Sequence, residues 1–261
     1  MNIGIVIPEI GGYSSISIEF HKWHDVMTSL GHSIYIITGK SRSVLKNMTV
    51  MSELYHENEY NLLFSSKLFE LSDDDTEAIS MFHNVSTRIQ AIINSWATTN
   101  DIECILVENF FSIPSNLPVT FALYNFFNVY PCKKVIKHHD AFYRNDVSKL
   151  TKSSFIQKLF VSCFPMIMED TVHISSNRII KSYLKEKCNV DSIIIPYVML
   201  ATSKNFWKDD ECLTLSDDFQ ASQTDKVLMH FTDLLEKQEQ LLCLNLYNCK
   251  MITPLRIVNG Q

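Results

Sequence analysis

The first forty residues restrict the fold most. An apolar run, Ile3 to Ile7, breaks at Pro8 and turns through Gly11-Gly12 into a mixed segment of about fifteen residues that ends at Gly31-His32. A second apolar run, Ile34 to Thr38, follows at once. Strand, glycine turn, helix and strand make a βαβ unit, whose two parallel strands require a crossover connection. Ligands of such sheets sit beyond the carboxyl ends of the strands. Gly11 and Gly12 lack Cβ, so a main-chain N–H there is able to approach an anionic or hydroxyl-rich ligand at the following helix N-terminus. The alternative is glycine placed in a tight turn for steric reasons alone.

The βα alternation continues well beyond this unit. An acidic cluster, Asp73-Asp74-Asp75, reads as a helix start, and Ile79, Phe82, Val85, Ile89, Ile92 and Ile93 recur at helical spacing through Trp96. The compact apolar run inside Asp101 to Glu108 has the character of a strand buried on both faces. Asn116 and Pro118 supply a cap and an early proline for a helix reaching Tyr130. Lys134 to Lys137 forms a further strand that ends directly in His138-His139-Asp140. Thr171 to Ile174 and Ser192 to Ile195 read as strands around a capped basic helix, Ser176 to Lys187. Between residues 40 and 75 the pattern weakens, and alternation around Tyr60 to Leu71 suggests short strands.

After Ala201 the regularity fails. Lys208 to Asp225 is acidic and polar, Val227 to Leu244 has the pattern of a helix, and Met251 to Val258 is strand-like. The expected organisation is a Rossmann-like domain over residues 1–200, an irregular or helical linker over 201–250, and the first strand of a second domain over 251–261.

Composition excludes several classes of function. With 46% apolar residues the 261-residue chain is able to bury a sizeable core. A net charge of −6 without a Lys/Arg run argues against a nucleic-acid groove, which needs a basic surface. No apolar stretch approaches the roughly eighteen residues of a membrane span, and the N-terminus lacks a cationic region ahead of an apolar one, so a cytoplasmic protein is expected. Seven scattered cysteines, never spaced C-x-x-C, indicate neither a disulfide framework nor a zinc site.

The candidate chemistry gathers at strand ends. His138 and His139 point to opposite sides of their strand, so one imidazole is expected to face the crevice, where Asp140 tunes it. The alternative is a pair of histidines satisfied by backbone carbonyls at a loop entry. Glu108-Asn109, with Ser112, Pro114 and Asn116 behind, gives a polar loop on the same rim, or ordinary turn and cap chemistry. Arg144 and Lys152 are cations near that rim. No third ligand accompanies the histidines at metal-binding spacing, so no metal is assigned. The dinucleotide fingerprint, the phosphate loop and the nucleophile elbow are all absent, and Thr38-Gly39-Lys40 stands where a ribose-binding acid would be expected.

Pro8-x-x-Gly11-Gly12, Leu30-Gly31-His32, Glu108-Asn109 with Pro114 and Asn116, and Lys137-His138-His139-Asp140, in this order, resemble the N-terminal half of retaining GT-B glycosyltransferases of family 4. The resemblance spans about residues 1 to 200. It implies an α/β, Rossmann-like parallel sheet with helices on both faces, serving as the acceptor-side domain of an enzyme that transfers a sugar from a nucleotide sugar to an acceptor with retention. The partners implied are a nucleotide sugar and a sugar, glycan or lipid acceptor, with peripheral membrane contact, and no cofactor or metal is required.

Carried over by position, Gly11 and Gly12 lie near the donor diphosphate, His139 or His138 touches the transferred sugar or its phosphate, and Glu108, Asn109 and Asp140 line the acceptor side. The chain departs from the family at Ala141-Phe142-Tyr143-Arg144-Asn145 and at Ile195-Pro196-Tyr197, where an Asn is usual. The donor domain's paired glutamates have no counterpart, so that domain is expected to be largely missing and this half to be feeble alone. Two other readings stay open: a non-catalytic module pairing with a separate donor-domain chain, and an epimerase acting on nucleotide sugars.

Overall fold

A computed structural model describes residues 1–11, 15–59, 61–62, 70–72, 75–141 and 151–197. They form an α/β unit, Met1–Tyr197, built on a seven-stranded sheet in which every paired strand is parallel. The strands are β1 (Asn2–Ile10), β2 (Ser33–Ser41), β3 (Met48–Val50), β4 (Cys104–Glu108), β5 (Lys133–His138), β6 (Thr171–Ser175) and β7 (Ser192–Ile194). The helices are α1 (Ser15–Ser29), α2 (Thr76–Thr99), α3 (Leu117–Val129), α4 (Ser154–Cys163) and α5 (Arg178–Cys188). The spatial order β3-β2-β1-β4-β5-β6-β7 reverses between β1 and β4, which makes that junction the topological switch point of a Rossmann-like sheet.

Side-chain alternation divides the core in two. Val6, Ile105, Val107 and Ile136 face α2, α3 and α4, packing with Phe82, Ile93, Phe126 and Phe160. Ile3, Ile5, Ile7, Cys104 and Leu106 face the other way, onto Phe20, Trp23 and Met27 of α1. All five residues of β4 are buried, which explains its unbroken apolar run.

The helix ends follow the expected chemistry. The Asn116 side chain accepts from the Val119 N–H at the start of α3, where Pro118 occupies the first turn, and Asn177 accepts from the Ile180 N–H at the start of α5. At the end of α1 the Gly31 and His32 N–H groups donate to the carbonyls of Thr28 and Met27, with Gly31 at φ +81°. This is a Schellman closure. Asp75 stands at the cap of α2, but its carboxylate accepts from the Ser72 N–H and hydroxyl instead of from the helix.

Four features differ from the sequence expectation. In place of short strands within Tyr60 to Leu71, the described residues there include Asn61 and Leu62 in a helical turn, the Leu62 N–H donating to the Asn58 carbonyl. The extra strand is β3, upstream, and a 3-10 turn (Ser52–Leu54) follows it. Helix α4 has no counterpart in the sequence expectation, although Ile156, Leu159, Phe160 and Cys163 recur on one buried face. Ile92, expected within the apolar stripe of α2, is 38% exposed. The acids Asp73 and Asp74 and everything after Tyr197, including the linker, the Val227 to Leu244 helix and the Met251 to Val258 strand, lie outside the described residues.

Candidate active site

At the switch point the strands part. β1 keeps register with β4 only as far as Val6↔Val107, yet continues beside β2 to Ile10↔Ser41. Gly11 follows β1 and Glu108-Asn109 closes β4 on either side of this opening. Gly11 adopts φ +79°, and a Cβ there would meet the Ser43 hydroxyl oxygen at 2.7 Å and the Arg42 Cβ at 3.1 Å. A glycine is therefore demanded twice over, by backbone conformation and by the close passage of the loop after β2. Gly12 lies outside the described residues, as does Arg144, while Lys152 is exposed.

The tips of β4 and β5 bring the polar candidates together. On the α1 side, Glu108 is fully buried; its Oε1 lies 3.4 Å from Lys137 Nζ and its Oε2 is hydrogen-bonded to His139 Nε2. Lys137 also lies 3.8 Å from Glu19 of α1, and its ammonium sits 4.6 Å over the Trp23 ring. Glu19 in turn accepts from Trp23 Nε1 at 3.2 Å and Lys22 Nζ at 3.1 Å. Burial pushes the Lys137 amine below the usual lysine range, against the pull of Glu108 and Glu19 toward the charged form. Two carboxylates thus compensate a cation that is itself almost wholly removed from water.

The neighbouring histidines occupy different worlds. The His138 ring faces the opposite side of the sheet, where Nδ1 meets the Ser112 hydroxyl at 2.9 Å and Nε2 meets His173 Nδ1 at 3.0 Å. Burial lowers His138 to about 3 and His173 to about 4, so both are neutral at physiological pH. His139 lies on the Glu108 side, and its Nδ1 is hydrogen-bonded to the Tyr197 hydroxyl while the two rings stack 5.4 Å apart. Both imidazole nitrogens are engaged, and Tyr197, itself 42% exposed, covers the ring.

Asn109 ties the rim. At φ +65° it turns the chain out of β4; its Oδ1 accepts from the His139 N–H and its Nδ2 donates to Asp140, each at 3.2 Å. The remaining loop candidates take structural posts: Ser112 serves His138, and Asn116 caps α3 while donating to the Glu53 carbonyl at 2.9 Å. The structure therefore groups Glu108, Asn109, His139 and Asp140, and sets His138 apart. Sequence reasoning passed over Glu19 and His173 and read Tyr197 only as a departure from a family pattern. An acid beside Phe20 in the apolar stripe of α1 was the available signal for Glu19.

Among the described residues no group of three or more His, Cys, Asp or Glu is arranged to hold a metal ion, and no helix is long and apolar enough to cross a membrane.

No family model matches the chain. Over 238 residues it is 24% identical to the mannosylglucosylglycerate synthase of Petrotoga mobilis (strain DSM 10674 / SJ95), covering 91% of this chain and 54% of that protein. Over 201 residues it is 20% identical to the mannosylglucosylglycerate synthase of Thermotoga maritima (strain ATCC 43589 / DSM 3109 / JCM 10099 / NBRC 100826 / MSB8), covering 76% of this chain and 45% of that protein. The chain thus spans about half the length of the curated relatives it matches, and its similarity is to proteins whose names describe the building of a glycoside.

Proposed function

We propose that residues 1–197 are the acceptor-side, Rossmann-like domain of a retaining glycosyltransferase of the GT-B type, family 4. The observation that carries this reading is the similarity, over 91% of the chain, to a protein named mannosylglucosylglycerate synthase. The β1/β4 switch point supports it, because such a fold receives ligands there. The substrates are then a hexose carried on a nucleotide and a hydroxyl-bearing acceptor of the glucosylglycerate kind.

In the proposed reaction the bond between the anomeric carbon and the diphosphate oxygen breaks, and a bond from that carbon to the acceptor oxygen forms on the same face. The acceptor proton leaves with the departing diphosphate. Main-chain amides at Gly11 and Gly12 stabilise the negative charge that develops on the diphosphate, and Glu108, Asn109 and Asp140 shape the acceptor side. His139 stands behind that rim, and His138 holds the rim from below through Ser112 and His173. No cofactor enters the scheme.

Isothermal titration of the chain tests the division of labour. Glucosylglycerate is expected to bind, with GDP-mannose and UDP-glucose binding in the millimolar range, about −4 kcal/mol. Tight nucleotide-sugar binding without any acceptor binding would overturn the assignment of residues 1–197 to the acceptor side.

A further inference from the structure

We propose that Tyr197, not a histidine, is the residue this site presents to its ligand, and that its phenol selects a neutral sugar hydroxyl over a phosphate. This inference rests on the glycosyltransferase reading and names which group meets the sugar. The geometry runs outward from the core in a line: the fully buried Glu108 carboxylate, His139 Nε2, His139 Nδ1, and the Tyr197 hydroxyl. His139 is 3% exposed at its side chain and has no nitrogen left for a ligand. Tyr197 is 42% exposed and lies three residues beyond β7, on the same rim.

The chain of hydrogen bonds fixes what the phenol offers. Glu108, paired with Lys137, accepts a hydrogen bond from the Nε2–H of His139, which leaves Nδ1 as an acceptor for the Tyr197 O–H. The Ser176 hydroxyl also hydrogen-bonds to the phenol oxygen, which leaves that oxygen one lone pair to accept from an incoming hydroxyl. His139 and Glu108 act through Tyr197 and are positioning residues.

The surrounding charge sets the preference. Among the described residues the charges that act most on the phenol are acidic, Glu108 and Asp140 first and then Glu19. Burial first, and then these charges, push the phenol above the usual tyrosine range, so it serves as a hydrogen-bonding group and not as a base. A phosphate brought to the same oxygen would meet those negative charges, whereas a neutral hydroxyl is drawn to them.

The test uses the full chain with tyrosine labelled at 13Cζ, the Tyr197 resonance being identified by its loss in the Tyr197→Phe variant. Methyl α-glucoside, glucosylglycerate and GDP-mannose are titrated, with inorganic pyrophosphate in parallel. The sugars are expected to move the Tyr197 signal, pyrophosphate to leave it in place, and Tyr197→Phe to weaken sugar binding about tenfold. His139→Gln should cost a similar factor when Tyr197 is present and nothing further in the Tyr197→Phe background.

The proposal is overturned if sugars perturb other resonances but not Tyr197, if pyrophosphate moves it equally, or if His139→Gln costs the same factor in both backgrounds. No perturbation anywhere by any sugar ligand overturns the glycosyltransferase reading as well. Should His139→Gln fail to fold, the 15N signal of His139 Nδ1 supplies the same answer. It is expected to move with sugar only in the chain that retains Tyr197, and a shift of equal size in the Tyr197→Phe chain overturns the positioning role.

Discussion

Lys137 shows how one residue links the core to the rim. Its ammonium is 1% exposed and serves Glu108, Glu19 and the Trp23 ring at once. Replacing it by Met keeps much of the volume but leaves two buried carboxylates without their shared cation. Lys137→Met is therefore expected to cost about 3–5 kcal/mol in urea unfolding. Adding Glu108→Gln should recover part of that loss, since it removes one of the stranded charges; an unchanged urea midpoint in the single variant would show that the network is not a stabilising one. At this scale the sequence was legible in part. Strand alternation announced that His138 and His139 face opposite ways, because the period of two is a property of the backbone. That Tyr197 covers His139, and that Glu19 reaches Lys137, depends on how distant segments pack. Local spacing carries no record of such contacts.

Elements were more legible than residues. β1, β2, β4, β5, β6 and β7 and helices α1, α2, α3 and α5 all sit where apolar runs, caps and helical spacing placed them. Short pieces escaped. β3 has three residues, two of them exposed, and so shows no apolar signature, while the Tyr60 to Leu71 alternation contains residues that are helical. The reason for Gly39 was equally invisible from sequence. A Cβ there would lie 2.1 Å from the Tyr55 N and 2.6 Å from the Leu54 carbonyl carbon, so the 3-10 turn after β3 rests directly on β2. Gly39→Ala is expected to destabilise by about 3 kcal/mol, the upper end of overpacking costs, because the obstruction is backbone. Gly31→Ala meets nothing within 4 Å and pays only for its left-handed conformation, about 1–2 kcal/mol. Denaturation of the two variants side by side checks the order; a Gly39→Ala chain as stable as the parent would show that the turn is free to lift.

The molecule as a whole carries an acid-sensitive core. His138 and His173, lowered to about 3 and 4, bind protons more weakly folded than unfolded, where the ordinary value is 6.5. Their neutral burial thus contributes its full stability above about pH 6.5, and the contribution is lost as pH falls from there toward 4. The slope reaches about 1.4 kcal/mol per pH unit for each ring. Urea midpoints of the parent chain and of His173→Asn, which retains an acceptor for His138, should converge in slope above pH 7 and diverge below 6.5, the variant being flatter. Parallel curves throughout would remove the pair as the cause.

The same sheet that buries this pair on one face carries Glu108, Lys137 and His139 on the other. The amide of Asn109 joins the β4 tip to the turn after β5. Two strand tips riveted in this way move as a single jaw with a fixed gauge. Any adjustment of the cleft's width must then come from the opposite jaw, where β1 runs out into a glycine.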